Sequence, residues 1–91
     1  MAIFAIFTGK GITKKMYESL RPEVNWEKNN PAGALFHACS FDEKGDLRVV
    51  DVWESPQMFE AFGRILLPIL QELGITLPPP DVAPVHSRIA G

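Results

Sequence analysis

Residues 47–62 read LRVVDVWESPQMFEAF, and within them strand chemistry gives way to helix chemistry with no loop between. Val49, Val50, Val52 and Trp53 suit a pleated strand. Ser55 can accept from the free amides of a first helical turn, and Pro56 stands at the first helical position, where its missing amide leaves nothing unpaired. A strand that delivers the chain into a helix through local chemistry alone constrains everything around it.

Just upstream, residues 34–41 and 47–54 predict two strands joined by Asp42-Glu43-Lys44-Gly45-Asp46. A type I turn with Gly45 in the left-handed region makes this a three-residue hairpin loop. Pairing Asp42 with Asp46 sets the register: His37 opposite Asp51, Cys39 opposite Val49 and Leu35 opposite Trp53 on one side, with Phe36, Ala38, Val50 and Val52 on the other. A slip of one residue would exchange the two faces.

Residues 2–8 (AIFAIFT) are apolar at nearly every position, as in a strand covered on both faces, and Gly9-Lys10-Gly11 then allows a turn. Thr13 can cap a helix in which Met16, Tyr17, Leu20 and Val24 recur at helical spacing, with Pro22 limiting the regularity of its last turn. Residues 25–33 (NWEKNNPAG) form a polar connection in which Trp26 is expected to pack. Beyond Pro56, the residues Phe59, Phe62, Leu66, Ile69, Leu70 and Leu73 make one amphipathic stripe ending at Gly74, and Pro68 predicts either a kink or two helices. The stiff run Pro78-Pro79-Pro80 precedes residues 81–89 (DVAPVHSRI), which alternate as a final strand, and Pro84 places that strand at an edge.

The order strand, helix, strand, strand, helix, strand predicts a single domain over residues 1–91. Its class is α+β, a ferredoxin-like βαββαβ fold with a four-stranded antiparallel sheet, the first and third strands central and both helices on one face. A chain of 91 residues buries only about 60 to 65% of the surface its unfolded form exposes. Since 46% of the residues are hydrophobic, the bare face of the sheet is expected to close against a second copy, giving a homodimer.

Other partners are disfavoured by charge and length. The net charge is -2, and the nine basic residues are scattered except for Lys14-Lys15, so no stripe follows a phosphate backbone and no nucleic acid is expected. The apolar run at 2–7 has no basic region before it and is too short for a signal segment or a membrane span. Cys39 is the only cysteine, which fits a reducing compartment and a cytoplasmic location.

Several residues carry candidate chemistry. His37 and Asp51 are the sharpest pair, because a carboxylate opposite an imidazole holds one tautomer and leaves the other ring nitrogen for a ligand; the plainer account is two polar groups satisfying each other in a half-buried sheet. His86 is a second candidate. With the second and fourth strands at opposite edges it would lie about 14 Å from His37, at about 4.8 Å per strand step, and no Cys or His cluster has metal-ligand spacing, so no metal site is expected. Trp53, Phe59 and Phe62 suit a wall for a flat aromatic ligand as well as they suit a core, and Tyr17 and Arg64 project from the two helices towards the same region. Cys39, with no basic neighbour in sequence, reads as a small core residue.

The segments PAGALFHACSFDEKG, RVVDVWESPQMFEAF and APVHS, in that order, resemble small bacterial proteins of the dimeric alpha-beta barrel superfamily, in the antibiotic-biosynthesis-monooxygenase-like group. The phrase VWES followed by an aromatic pair is the most specific part. The resemblance implies a homodimer whose two sheets face each other inside a shell of helices. The superfamily includes cofactor-independent quinone-forming monooxygenases, haem-degrading enzymes and lactone isomerases, so the fold alone does not choose a reaction. Haem-degrading members use an Asn on the first strand, a Trp early in the second helix and a His further along it; here the first strand has no Asn, the helical aromatic is Phe62, and no His lies between Ser55 and Gly74. The expectation is therefore a small-molecule-binding dimer without a cofactor, in which His37, Asp51 and His86 act on a planar aromatic ligand. The alternative is a non-catalytic binding or assembly module.

Overall fold

The computed structural model describes residues 1–26 and 31–89; of the connection expected at 25–33, residues 27–30 lie outside the described residues. The elements run β1 (Ile3–Gly9), α1 (Lys14–Val24), β2 (Ala34–Phe41), β3 (Leu47–Trp53), α2 (Pro56–Glu72) and β4 (Asp81–Pro84). The strands form one antiparallel sheet in the order β2-β3-β1-β4. This is the ferredoxin-like α+β arrangement, with β1 and β3 in the centre. Among the described residues, no helix is long and apolar enough to cross a membrane.

The β3–α2 junction forms as its residues dictate. Ser55 is extended and its hydroxyl accepts the Met58 amide at 3.2 Å, while Pro56 begins the helix. Thr13 caps α1 in the same way, accepting from the Met16 amide at 3.3 Å. Of the two outcomes expected at Pro68, division into two helices does not occur: α2 is one element with Pro68 inside it, and that ring lies on the exposed side. The helix then closes with Gly74 at φ 70°, which brings the Ile75 amide back to the Leu70 carbonyl at 2.8 Å and the Gly74 amide to Gln71 at 3.1 Å. That left-handed step costs glycine little, and it lets Leu70 and Ile75 enter the core together.

The hairpin loop has the expected form. The Gly45 amide donates to the Asp42 carbonyl at 2.9 Å, and Gly45 has φ 82°. One Asp42 carboxylate oxygen accepts from the amides of Lys44 at 2.9 Å and Asp46 at 3.0 Å, while the other meets Arg48 at 2.8 Å. The Asp46 amide, followed by that of Lys44 and the Arg48 guanidinium, holds the Asp42 carboxyl below the usual aspartate range. The loop delivers the register His37 to Asp51 and Cys39 to Val49. One expected pair is corrected. A bulge between Ala34 and Phe36 places Ala34, not Leu35, opposite Trp53, and Leu35 turns outward at 44% exposure. Trp53 is wholly buried, so the small alanine fits where a leucine would overfill the space.

Alternate residues of the central strands face the helices. Ala5, Phe7, Leu47 and Val49 pack with Ile12, Leu70 and Ile75 in one cluster, and Ile3, Trp53 and Phe62 form a second. The opposite face carries Phe4, Ile6, Phe36, Val50 and Val52; Ile6 is 37% and Phe36 52% exposed, Phe4 and Val50 are half-buried and Val52 is buried. The expected final strand is shorter than 81–89. After Pro84, which has no amide to donate, one more ladder bond joins the Val85 amide to the Ala2 carbonyl at 2.9 Å, and pairing then runs off the end of β1.

Two outcomes follow from these local contacts. Ser55→Ala should lower unfolding free energy by about 1 kcal/mol in urea titrations, and an unchanged midpoint would show that the cap contributes nothing. A carboxyl held low in the folded state stabilises the fold above its unfolded pKa, and that contribution fades as pH falls through the folded value. Asp42→Ala should therefore be less stable than the native sequence at neutral pH, with the gap closing below the ordinary aspartate range; a gap independent of pH would contradict this.

Candidate functional site

The hairpin register sends His37 from β2 and Asp51 from β3 to the helix face side by side. Asp51 is 4% exposed, the one charged residue in the core among those described. A buried carboxylate must recover the hydrogen bonds that it loses from water. Its Oδ1 lies 2.6 Å from His37 Nδ1, and its Oδ2 accepts from Trp53 Nε1–H at 3.4 Å. Among the described residues no buried side-chain nitrogen or oxygen lacks a partner.

A carboxylate can only accept, so the proton of that bond resides on Nδ1 and Nε2 becomes the acceptor. Tyr17, from α1, meets Nε2 with its hydroxyl at 2.9 Å, its ring within 8° of parallel to the imidazole. The result is a chain Tyr17–His37–Asp51–Trp53 that crosses from helix to sheet. Trp26 lies against the His37 ring with centroids 4.7 Å apart, and meets Trp53 and Phe62 edge-on at 5.5 Å each. The imidazole is thus held by bonds at both nitrogens and by an aromatic wall.

These groups border a cavity of about 100 Å³ between sheet and helices, lined by Phe7, Tyr17, Leu20, Arg21, Val24, Trp26, His37, Val49, Asp51, Phe62, Leu66 and Leu77. Most of the wall is hydrocarbon or aromatic, and its polar side chains are Tyr17, Arg21, Trp26, His37 and Asp51. An apolar protein cavity of about 150 Å³ holds benzene, so this space suits one ring or less.

The structure distributes the expected site residues unevenly. Tyr17, His37, Asp51 and Phe62 border the cavity. Trp53 stands behind Asp51 as its second donor, and Phe59 packs between Phe7 and Trp53 at centroid distances of 6.1 and 5.8 Å. Arg64 lies on the exposed side of α2, and His86 lies past the end of β4, exposed; neither is brought to the cavity, because α2 turns its other face inward and β4 stops at Pro84. Trp26 and Arg21 are additions. Trp26 was readable as a lone aromatic in a polar connection, whereas Arg21 carries no signal apart from its one-turn offset from Tyr17. Cys39 is half-buried beside this region, and burial pushes its thiol pKa up, which suits a packing role. Among the described residues, no group of three His, Cys, Asp or Glu side chains is placed to hold a metal ion.

No family model matches the sequence, and no curated protein matches it significantly. Solved structures do match. A point variant of SnoaB, a cofactor-independent oxygenase from Streptomyces nogalater, superposes with a TM-score of 0.65 at 14% identity, covering 99% of this chain and 96% of that one. A candidate antibiotic biosynthesis monooxygenase from Deinococcus radiodurans gives 0.60 at 14% identity, with 99% and 97% covered. A conserved protein from Methanosarcina mazei Go1 gives 0.66 at 13% identity, with 91% and 89% covered. Near-complete coverage of both chains in each case means that the whole topology is shared, and the chain has the fold of these solved structures.

Proposed function

We propose that this protein is a small-molecule-binding homodimer that acts, without a cofactor, on a planar aromatic ligand held in the cavity beside His37. The observation that carries the reading is the 2.6 Å His37–Asp51 contact at the edge of an apolar cavity, with Tyr17 on the other imidazole nitrogen. Asp51 orients the ring and balances the imidazolium that forms if His37 takes a proton. The cavity volume points to a single-ring substrate rather than a fused polycycle. The likeness to a cofactor-independent oxygenase agrees with proton removal as the enzyme's contribution, since an electron-rich aromatic anion can itself react with dioxygen.

The homodimer is supported by large apolar side chains left exposed on the sheet face opposite the helices. Ile6 and Phe36 are exposed on the sheet face away from both helices, with Phe4 and Val50 half-buried beside them. A second copy of the same sheet covers it with like surface. The non-catalytic alternative draws on one specific observation: every buried side-chain nitrogen and oxygen among the described residues is already satisfied, so the His37–Asp51 pair also works as a register lock.

Two experiments separate these readings. Oxygen uptake by the purified protein should be measured with single-ring hydroquinones and repeated with His37→Asn, which keeps a donor towards Asp51 while removing Nε2. Uptake should fall roughly 100-fold or more in the variant, the usual cost of losing a general base. Equal uptake would remove His37 from the chemistry, and none with the native protein would favour the binding module. Separately, Phe36→Asp should convert a dimer to a monomer in analytical ultracentrifugation; an unchanged sedimentation mass would place any interface elsewhere.

A further inference from the structure

Two of the described residues lining the cavity beside His37 carry a full charge at neutral pH, Asp51 and Arg21, and they lie at different depths of its wall. Asp51 is 4% exposed and turned to His37 and Trp53, so donors of the protein already meet it. Arg21, in the last turn of α1, lines the same cavity with a side chain that is 48% exposed, so it runs from the apolar wall out to solvent and stands at the rim. Its 3.6 Å contact with Glu18 joins two half-exposed side chains, a kind of pair that contributes little. A guanidinium has five N–H donors in a planar fork, so Arg21 can keep the contacts it has and still take a carboxylate side-on. Its charge is also felt beside Tyr17: burial chiefly raises the Cys39 thiol pKa, the Tyr17 hydrogen bond lowers it, and beyond these Glu18 raises and Arg21 lowers it.

We propose that the ligand is a single-ring aromatic carboxylic acid, bound as its carboxylate, with the ring in the apolar part of the cavity and the carboxylate on the Arg21 guanidinium at the rim. This rests on the reading of the cavity as a ligand site and narrows its ligand from planar aromatics to anionic ones. The space of about 100 Å³ takes about one ring, and the side chains of Phe7, Leu20, Val49, Phe62, Leu66 and Leu77 offer a carboxylate no donor there. Placed among them it would lose its water with nothing in return, whereas at the rim it keeps part of its hydration and gains a charge-assisted pair. The rim also holds it away from the like charge of buried Asp51. Arg21 is then a specificity-determining residue, and no bond of the ligand changes at it.

The probes are 4-fluorobenzoate and 4-fluorobenzamide, rings of nearly equal shape that differ in charge, with dissociation constants measured by ¹⁹F NMR at neutral pH on the native protein and on Arg21→Gln. Glutamine is a good helix former, so α1 is kept, and 4-fluorobenzamide should bind both proteins alike, which also shows that the cavity is intact. The native protein should prefer 4-fluorobenzoate, and the affinity ratio of benzoate to benzamide should fall about tenfold in the variant. A ratio that is the same in the two proteins would overturn the role of Arg21, although the cavity remains a ligand site. Native protein that binds 4-fluorobenzamide and rejects 4-fluorobenzoate would do the same. If neither probe binds the native protein, this inference and the cavity reading fall together.

Discussion

The contact between His37 and Asp51 decides more of this structure than any other single interaction. A carboxylate that is 4% exposed is tolerable only where donors meet it, and here the donors are an imidazole on the neighbouring strand and an indole two residues along the same strand. A one-residue slip of β2 against β3 would leave Asp51 on the helix face without its imidazole, so the pair penalises the alternative registers that an apolar hairpin would tolerate. The loop of residues 42–46 sets the same register from the other end, through the Asp42 carboxylate and Gly45. Two independent devices, one polar and buried and one at the solvent-exposed turn, agree.

The orientation of the imidazole then passes outward. Because Asp51 takes Nδ1, the other nitrogen faces Tyr17 on α1, and the helix is joined to the sheet by a directional bond as well as by packing. Trp26, Trp53 and Phe62 surround that line with ring contacts of 5.0 to 5.5 Å, each worth about 0.5 to 1.5 kcal/mol beyond area burial. A rigid aromatic frame around a polar line is what a site needs to hold one proton in one place, and the cavity beside it is the space left when those rings do not close completely.

Much of the fold was legible because it is written in local chemistry. Ser55-Pro56, Thr13 and the Gly45 turn each specify their own geometry, and the period of the apolar residues separates strand from helix. The His37–Asp51 juxtaposition followed from counting along the hairpin. What sequence could not supply was set by tertiary fit. The bulge at Leu35 answers to the volume of Trp53, the length of β4 to the reach of β1, and the passage of α2 through Pro68 to the exposed position of that ring. Within the site, Trp26 and Arg21 arrive from a connection and a helix whose placement over the sheet no periodicity encodes. His86 and Arg64 were chosen by residue type, and the topology carries both away from the cavity.

The tautomer of His37 is the most direct test of this account, because every orientation in the site depends on it. The chain has two histidines, and exposed His86 serves as the internal reference. Long-range ¹H–¹⁵N correlation spectra of the protein labelled at histidine, recorded above the range in which imidazole titrates, distinguish a protonated from an unprotonated ring nitrogen. The account predicts that His37 carries its proton on Nδ1, with Nε2 unprotonated, unlike a free histidine, which favours Nε2–H in water. A His37 found as the Nε2–H tautomer would contradict it.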